Sequence, residues 1–294
     1  MTRPDPAFHA GERAVQDRAG VPEDWRQRAA RAIRPDMSAQ HQAFFESLPL
    51  LFVGLRDGQG RPWATICPLP DGAQATRERL SARSRPLLAD RLDLDLRPGS
   101  KVAVLGLDFA TRRRNRMNGV ITETAAERMT IQVEQSYGNC PQYISPREMR
   151  PAAAPLPAPE GQPVAIQDAV ARRILSTADT FFIASSATSG MDVSHRGGRA
   201  GLLRQREDGR LSFPDYPGNR YFNTLGNIEI SGRAGLFIPE FASGEALLLT
   251  GRAVIDWSPA RAARYEGAER MLDIHPEEVW HVRHALPRTR FAAE

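Results

Sequence analysis

Residues 192–201, DVSHRGGRAG, bring acidic, hydroxyl, imidazole and guanidinium groups together beside two glycines. Alternate side chains of an extended strand share a face, so Asp192, Ser194 and Arg196 are predicted to point the same way. Arginine can bind a phosphate through two parallel hydrogen bonds, and adjacent glycines let backbone approach closely. Taken alone, the stretch is equally compatible with an anion or heterocycle site and with an exposed strand whose serine and arginine contact water.

The same stretch could suggest a hydrolase, because an aspartate, a serine and a histidine lie within four residues. A catalytic triad needs the imidazole within hydrogen-bond reach of the hydroxyl, whereas Ser194 and His195, as neighbours in a strand, face opposite sides. The sequence also has no G-x-S-x-G elbow. We therefore predict no triad and identify no catalytic residue. We expect His195 to face away from the site if the strand is regular, whereas a bulge at the glycines could change that.

A second polar stretch, residues 217–229, reads PGNRYFNTLGNIE. Pro217 and Gly218 indicate a turn, and Asn or Thr near position 223 is predicted to cap a short helix. On that helix Asn223 and Asn227 lie one turn apart and share a face. Amides, hydroxyls and an arginine at a helix start suit a phosphate or a ring edge with several donors and acceptors. Simple capping would explain one asparagine but not readily three.

The composition is that of a globular protein with room for two domains. The chain has 294 residues, of which 41% are hydrophobic and 25% charged. Its apolar runs are far shorter than the roughly 20 residues that a bilayer requires, so no membrane association is expected. The first residues lack the apolar core of a secretory signal, and two cysteines cannot form a disulfide framework, so we expect a cytoplasmic protein.

The net charge is +4, and only Lys101 among the 39 basic residues is a lysine. Acidic residues are interspersed throughout, so we predict no nucleic-acid partner. The local exception is RRRNR at 112–116, which has no interleaved aromatic residues for base stacking. In a strand these arginines would alternate between faces. Some could reach a cofactor or substrate anion, but solvation and pairing between domains are the expected roles.

A proline-rich segment, PAAAPLPAPEGQP, divides the chain, and the halves on either side resemble each other. SLPLLFVGL matches TADTFFIAS, and VAVLGLDF matches AGLFIPEF at nearly the same offset. This pattern predicts tandem copies of one fold. The predicted organisation is an N-terminal helical extension at 1–36, a first barrel at 37–150, a linker at 151–163 and a second barrel at 164–294.

In each half, short apolar runs separated by turn residues predict short strands, with few helices. Helices are predicted over Pro22–Ile33, with Trp25, Ala29 and Ile33 on one face, and over Ala165–Leu175. Short antiparallel strands with few helices favour a small closed barrel over a doubly wound sheet.

Three further residue groups are predicted to have no chemical role. Cys140 precedes a proline in a turn and is expected to be incidental, while Cys67 lies in a predicted strand and is expected in the core. His281 and His284 could share a helix face, but no further ligands accompany them, so no metal site is predicted.

The polar motifs together resemble a known family. DVSHRGGRAG, DYPGNRYFNTLGNI and AGLFIPEFASGEALLLTGRA occur in this order, and the second half resembles the FMN-binding split barrel of the pyridoxamine 5'-phosphate oxidase-like superfamily, in its Asp-x-Ser-x-Arg-Gly branch. FHAGERAVQDRAGV, TRRRNRMNG and SYGNCPQYI in the first half resemble two-domain members of that branch. The resemblance implies a mainly β chain with a few helices, folded as tandem split β-barrels that form a pseudo-dimer.

In that superfamily FMN lies in a groove between two barrels, and the resemblance carries this site onto the second half. The corresponding stretch of the first half, TICPLPDGA, lacks the arginine, so the first barrel is expected to have lost its site and to form the opposite wall. Substrate-phosphate residues cannot be placed in HVRHALPRTRFAAE, so vitamin B6 oxidation is not expected. The implied FMN-binding residues are Ser194, Arg196, Gly197, Asn219, Arg220, Asn223, Thr224 and Asn227.

The resemblance therefore implies an FMN-dependent oxidoreductase whose flavin carries the redox chemistry. Its partner would be a small-molecule substrate or an electron donor such as a reduced nicotinamide, and two chains could form a homodimer. One alternative is a non-catalytic split-barrel protein that binds flavin or haem in the same groove. Another is a structural interaction module that binds no ligand.

Overall fold

The computed structural model describes residues 7–125, 128–148, 157–188, 190–286 and 290–291. Within these ranges the protein is mainly β with few helices, as predicted. The N-terminal half contains α1 (Ala10–Arg18), α2 (Glu23–Ala32), α3 (Ala39–Glu46), β1 (Leu50–Arg56), β2 (Pro62–Pro68), β3 (Ala73–Ala75), β4 (Arg79–Ala82), β5 (Lys101–Asp108), β6 (Arg113–Ala125), β7 (Arg128–Gly138) and β8 (Arg147–Glu148).

The C-terminal half has a similar succession of elements. It contains β9 (Glu160–Pro163), α4 (Ala169–Thr177), β10 (Thr180–Ala187), β11 (Gly190–Gly197), β12 (Arg204–Gln205), β13 (Leu211–Asp215), α5 (Asn223–Ser231), β14 (Arg233–Glu240), β15 (Glu245–Asp256), α6 (Pro259–Ala262), β16 (Arg270–Arg283) and β17 (Arg290–Phe291).

Each half forms its own antiparallel sheet, and the two sheets have the same strand order. The first runs β2-β1-β5-β6-β7-β4-β3, and the second runs β11-β10-β14-β15-β16-β13-β12. Every strand of the first sheet thus has a counterpart at the same place in the second. This is the order that two copies of one fold would produce. Descent of the two halves by duplication remains a prediction.

The two halves share a hydrophobic core. Strands β1 and β10 are buried on both faces because one face covers its own sheet's core and the other covers the opposite half. Phe52 of β1 and Phe182 of β10 stack with ring centroids 3.5 Å apart at this junction. Strand β2 packs against β14, and β11 packs in the equivalent way against β5. The chain therefore folds as a pseudo-dimer of two mainly β halves, as the fold-class prediction states.

The predicted helices form with small differences in their limits. The first predicted helix corresponds to α2, which begins and ends one residue inside the predicted range. The second begins later than predicted, at Ala169, because Ala165 to Asp168 form a turn in which the Asp168 carboxylate accepts a hydrogen bond from the Ala165 N–H. None of the helices in the described ranges combines the length and apolar character needed to cross a membrane.

The predicted domain limits remain a prediction, although part of the predicted linker joins a sheet. Residues 151–156 of that linker lie outside the described ranges. Strand β9 covers its last four residues and pairs with β16, so the end of the linker is an edge of the second sheet.

Candidate functional site

A cleft that is partly open to solvent runs between the two halves, with a cavity volume of about 120 Å³. Strand β6 and the segment 139–143, which follows β7, form the wall contributed by the first half. Strand β11, the turn at 214–220 and the start of α5 form the wall contributed by the second half. The predicted site residues that line the cleft are Ser194, Arg196, Gly197, Asn219, Arg220, Asn223 and Thr224.

The polar face of β11 has the alternation that the sequence predicts. Ser194 Oγ donates a hydrogen bond to Asp192 Oδ2 at 3.0 Å, so the two side chains share a face. Thr224 Oγ1 of α5 lies 2.7 Å from the same carboxylate oxygen and 2.9 Å from Ser194 Oγ. All three side chains are buried. The hydroxyls of Ser194 and Thr224 are therefore bonded within the protein, on the wall of the cleft rather than free in its centre.

Arg116 of β6 reaches across from the first half and completes this network. Its Nη1 lies 2.7 Å from Asp192 Oδ1, and its Nη2 donates to Ser194 Oγ at 2.6 Å. Nη1 also donates to Asn223 Oδ1 at 2.8 Å and to the Tyr137 hydroxyl at 3.0 Å. The guanidinium is buried, so a buried ion pair joins the two halves. Pairing between the halves is the role that the sequence predicted for part of the arginine run, but Arg116 itself was not predicted as a site residue.

Arg114, two residues earlier on β6, also lines the cleft. It donates through Nη2 to the Cys140 carbonyl oxygen at 2.5 Å, and its Nη1 lies 3.2 Å from His195 Nδ1. Burial, together with the nearby charges of Arg116 and Arg196, lowers the pKa of Arg114 to about 10. No acidic side chain pairs with it among the residues that the structure describes.

His195 lies on the opposite face of β11 from Ser194, as predicted, yet it still lines the cleft. The expectation that His195 faces away from the site is therefore wrong. Residues on both faces of β11 line the cleft at the end of the strand, and Arg114 contacts the His195 ring there. Burial, with the charges of Arg114 and Arg196, holds the pKa of His195 well below its usual value. The ring is neutral, and because Nδ1 accepts from Arg114, the proton is on Nε2.

Arg196 and Gly197 form the end of β11 at the cleft. Arg196 Nη1 donates to the His195 carbonyl oxygen at 3.1 Å, and Nη2 lies 3.7 Å from Asp215 Oδ1. Gly197 packs against backbone, since a Cβ built on it would lie 1.9 Å from the Tyr143 carbonyl oxygen. Only glycine fits this contact, in which segment 139–143 lies directly on β11.

The turn before α5 differs from the predicted capping arrangement. The helix begins after Phe222, which has a left-handed φ of 60°, and no side chain caps it. Arg220 is also left-handed, with φ of 54°. Asn219 Oδ1 accepts a hydrogen bond from the Tyr221 N–H at 3.2 Å and so shapes the turn. The capping role predicted near residue 223 is wrong, because the Asn223 amide is used in the buried network instead.

Asn227 stands apart from the other predicted site residues. Its Nδ2 lies 3.3 Å from the carbonyl oxygen and 3.2 Å from the hydroxyl of Ser185 on β10, and it is not among the residues that line the cleft. A helix places Asn223 and Asn227 on one side, but only the first turn of α5 reaches the cleft. The amide of Asn227 fixes α5 to β10.

Glu12 of α1 closes the network on the side away from the cleft. Its Oε2 accepts from the His9 N–H at 2.8 Å, and its Oε1 accepts from Asn223 Nδ2 at 2.5 Å. Asp192 and Arg116 lie close enough to affect its ionisation. Burial raises the pKa of Glu12 from its ordinary 4.5 to about 7, so the carboxyl titrates near neutral pH.

Glu12 is therefore expected to make folding stability depend on pH. The unfolded chain releases this proton near pH 4.5 and the folded chain near pH 7, so the stabilisation is full below pH 4.5 and is lost as the pH rises to 7. The free energy of unfolding of wild type minus that of Glu12→Gln should fall by about 1–3 kcal/mol as the pH rises from 4.5 to 7. Urea unfolding at several pH values measures it, with the exposed Glu23→Gln as control. A parallel pair of pH profiles would contradict the prediction.

The first half has an equivalent position, and protein fills it. Phe182 pairs with His195 as Phe52 pairs with Ile66, so Thr65 and Cys67 occupy the places of Ser194 and Arg196. The Leu87 N–H donates to the Ile66 carbonyl oxygen, and Thr65 Oγ1 donates to the Leu87 carbonyl oxygen. The segment around Leu87 thus covers this strand, and the expected loss of a site in the first half stays a prediction.

The remaining candidates take ordinary roles. Cys67 is buried, as predicted, and burial raises the pKa of its thiol to about 11; Cys140 is exposed at the edge of the cleft. His281 lies on β16 and not on a helix, and its Nε2 is 3.2 Å from Glu245 Oε2. Within the described ranges, no three His, Cys, Asp or Glu side chains are placed to hold a metal ion.

Neither a protein-family model nor a curated protein matches the chain. Solved structures similar to it include a HupZ variant from Group A Streptococcus, at 14% identity and a TM-score of 0.32, over 39% of this chain and 98% of that one. A candidate pyridoxamine 5'-phosphate oxidase from Corynebacterium glutamicum matches at 15% identity and a TM-score of 0.30, over 42% and 97% of the two chains. A FAD-binding protein from Mesorhizobium loti matches at 13% identity and a TM-score of 0.29, over 42% and 96%.

Proposed function

We propose that the cleft binds FMN and that the protein is a flavin-dependent oxidoreductase of small molecules. The observation that carries the proposal is a set of buried N–H groups around the cleft that have no acceptor in the described part of the chain. They are Arg114 Nε, Arg196 Nε and His195 Nε2, and the Asn139 Oδ1 atom nearby likewise has no donor. Buried donors without acceptors are costly, so a ligand with several acceptor oxygens fits this place.

The charge of the cleft favours an anionic ligand. Arg116 is neutralised by Asp192, and Arg196 lies near Asp215, but Arg114 and Arg220 line the same cleft without an acidic partner in the described ranges. A phosphate monoester supplies the opposite charge and several acceptor oxygens in one group. The riboflavin phosphate of FMN has such a group, together with a ring whose edge carries further donors and acceptors.

The predicted site residues divide into two roles. Arg196, with Asn219 and Arg220 of the turn, would contact the cofactor, because these side chains border the open space. Ser194, Asn223 and Thr224 bond to Arg116 and Asp192, so they would hold the wall rigid and present it to the cofactor. Gly197 has no side chain and would let the cofactor approach the backbone at the end of β11. Asn227 would hold α5 against β10 through its hydrogen bonds to Ser185.

When bound, FMN would supply the electron transfer, and the protein's part would be positioning and electrostatics. The neutral imidazole of His195 presents an N–H, and the nearby guanidinium groups would stabilise negative charge that develops on a bound ring. The proposed partners are a small-molecule substrate and an electron donor such as a reduced nicotinamide. A non-catalytic protein that binds flavin or haem would use the same cleft.

Titration with FMN is expected to show one flavin per chain, because the equivalent position in the first half is filled.

Arg196→Ala should weaken FMN binding about tenfold or more, since it removes a charged donor from the cleft. Arg28→Ala, which removes an exposed arginine of the helical pair with Asp24, should leave the affinity unchanged. A protein that stays colourless and does not change the absorbance or fluorescence of FMN would refute the proposal.

Mixing the flavin-loaded protein with NADH or NADPH in air separates an enzyme from a binding protein. Sustained oxidation of the nicotinamide supports the oxidoreductase. Flavin absorbance that does not change supports the non-catalytic alternative, and a parallel titration with haem tests the other ligand of that alternative. Flavin and haem are thus compared on the same protein, and the one that binds identifies the ligand class of the cleft.

A further inference from the structure

Segment 139–143, named the strap, extends from the first-half wall of the cleft onto β11 and the turn at 214–220 of the second half. Its two ends are fixed: the Asn139 N–H donates to the Arg114 carbonyl oxygen at 2.9 Å, and Ile144, directly after the strap, is buried in the core. The residues between these ends are exposed. The strap is thus a short bridge with anchored ends and an exposed middle.

The middle of the strap is held to the second half mainly through Tyr143. The Tyr143 ring stacks on Tyr216 with centroids 5.6 Å apart and an interplanar angle of 23°. Its hydroxyl donates to the Pro217 carbonyl oxygen at 3.2 Å. Tyr143 is 43% exposed as a whole residue and has a left-handed φ of 64°. These contacts form a surface latch rather than part of a packed core.

The strap covers the residues that a cofactor would approach. The Tyr143 carbonyl oxygen lies against Gly197, and Arg114 bonds to the Cys140 carbonyl oxygen. A ligand the size of FMN that reached the backbone at Gly197 would have to displace the Tyr143 carbonyl group.

We propose that the strap is a lid on the cleft, latched by the Tyr143–Tyr216 stack, and that it opens to admit the cofactor. This inference rests on the proposed FMN site. A lid that is mostly closed reduces the observed association rate in proportion to its open fraction. Weakening the latch then raises association and dissociation together, because the same opening serves both directions. A fixed wall that only contacts the ligand would change dissociation alone.

Stopped-flow fluorescence of FMN mixed with the full chain tests the lid. Tyr143→Ala is expected to raise the association rate about tenfold and the dissociation rate in parallel, since it removes one aromatic stack and one hydrogen bond. Tyr216→Ala should give a similar acceleration because it breaks the same stack. Tyr143→Phe keeps the stack and should accelerate less. Tyr265→Ala, which removes a tyrosine that packs on Arg204 away from the cleft, is the control.

The outcomes separate the lid from the site. Parallel acceleration of both rates supports the lid. An unchanged association rate in Tyr143→Ala and Tyr216→Ala, with FMN still bound, overturns the lid and leaves the FMN site intact. Failure of wild type and every variant to bind FMN overturns the site itself and, with it, the lid.

Discussion

Replacement of Arg116 by methionine is expected to lower the free energy of unfolding by about 3–5 kcal/mol. Arg116 is 4% exposed, and its guanidinium contacts Asp192, Ser194 and Asn223 of the opposite half. Without it, the Asp192 carboxylate stays buried with its charge uncompensated, and polar atoms of its neighbours lose their partner. Urea denaturation of wild type and Arg116→Met measures the difference.

Two companion variants make this result specific. Arg112→Met removes an exposed arginine of the same run and should change stability by less than about 0.5 kcal/mol. Asp192→Asn combined with Arg116→Met should recover part of the loss, because the charge that was left unpaired is gone. A loss below about 1 kcal/mol in Arg116→Met would mean that solvent reaches Asp192, contrary to the burial described above.

The network also explains which part of the site could be read from sequence. The alternation of Asp192, Ser194 and Arg196 follows from strand geometry alone, so their common side of β11 was predictable. Which arginine of the run 112–116 would meet them was not predictable. That depends on the register of β6 in its own sheet and on how the two halves pack, and neither is encoded within a short stretch. The arginine run and the expected partner wall were the available signals.

The start of α5 shows a second limit. Sequence rules place Asn or Thr at a helix cap and glycine in left-handed backbone, yet the residue before this helix is a left-handed Phe222. Its ring lies under the Arg270 guanidinium at 4.9 Å, and Arg270 also stacks on Trp257. A tertiary contact between residues almost 50 positions apart therefore overrides the local preference. The strands themselves were predictable because apolar runs and turn residues are local features.

Gly226 is another position at which local rules fail, because they predict the wrong direction for the change in stability on substitution by alanine. Glycine inside a helix is normally less stable than alanine by about 1 kcal/mol, so Gly226→Ala in α5 would be expected to stabilise. The structure instead places this glycine where α1 crosses α5. A Cβ on Gly226 would lie 2.5 Å from the Glu12 backbone nitrogen, and one on Gly11 would lie 2.1 Å from the Gly226 carbonyl oxygen. Each helix needs the other's glycine to approach this closely.

We therefore expect Gly226→Ala to destabilise the protein by about 3 kcal/mol, because the added methyl group meets backbone that cannot turn aside. Gly218→Ala is the matched control, since a Cβ there meets no atom within 4 Å. Chemical denaturation measures both, and hydrogen exchange in α1 should become faster only in Gly226→Ala. Separation of the helices would also withdraw Glu12 from Asn223, so the pH dependence assigned to Glu12 should weaken in the same variant. A stabilised Gly226→Ala protein would show that α1 does not pack on α5 through these glycines. Glu12 of α1 would then not belong to the buried network that includes Asn223.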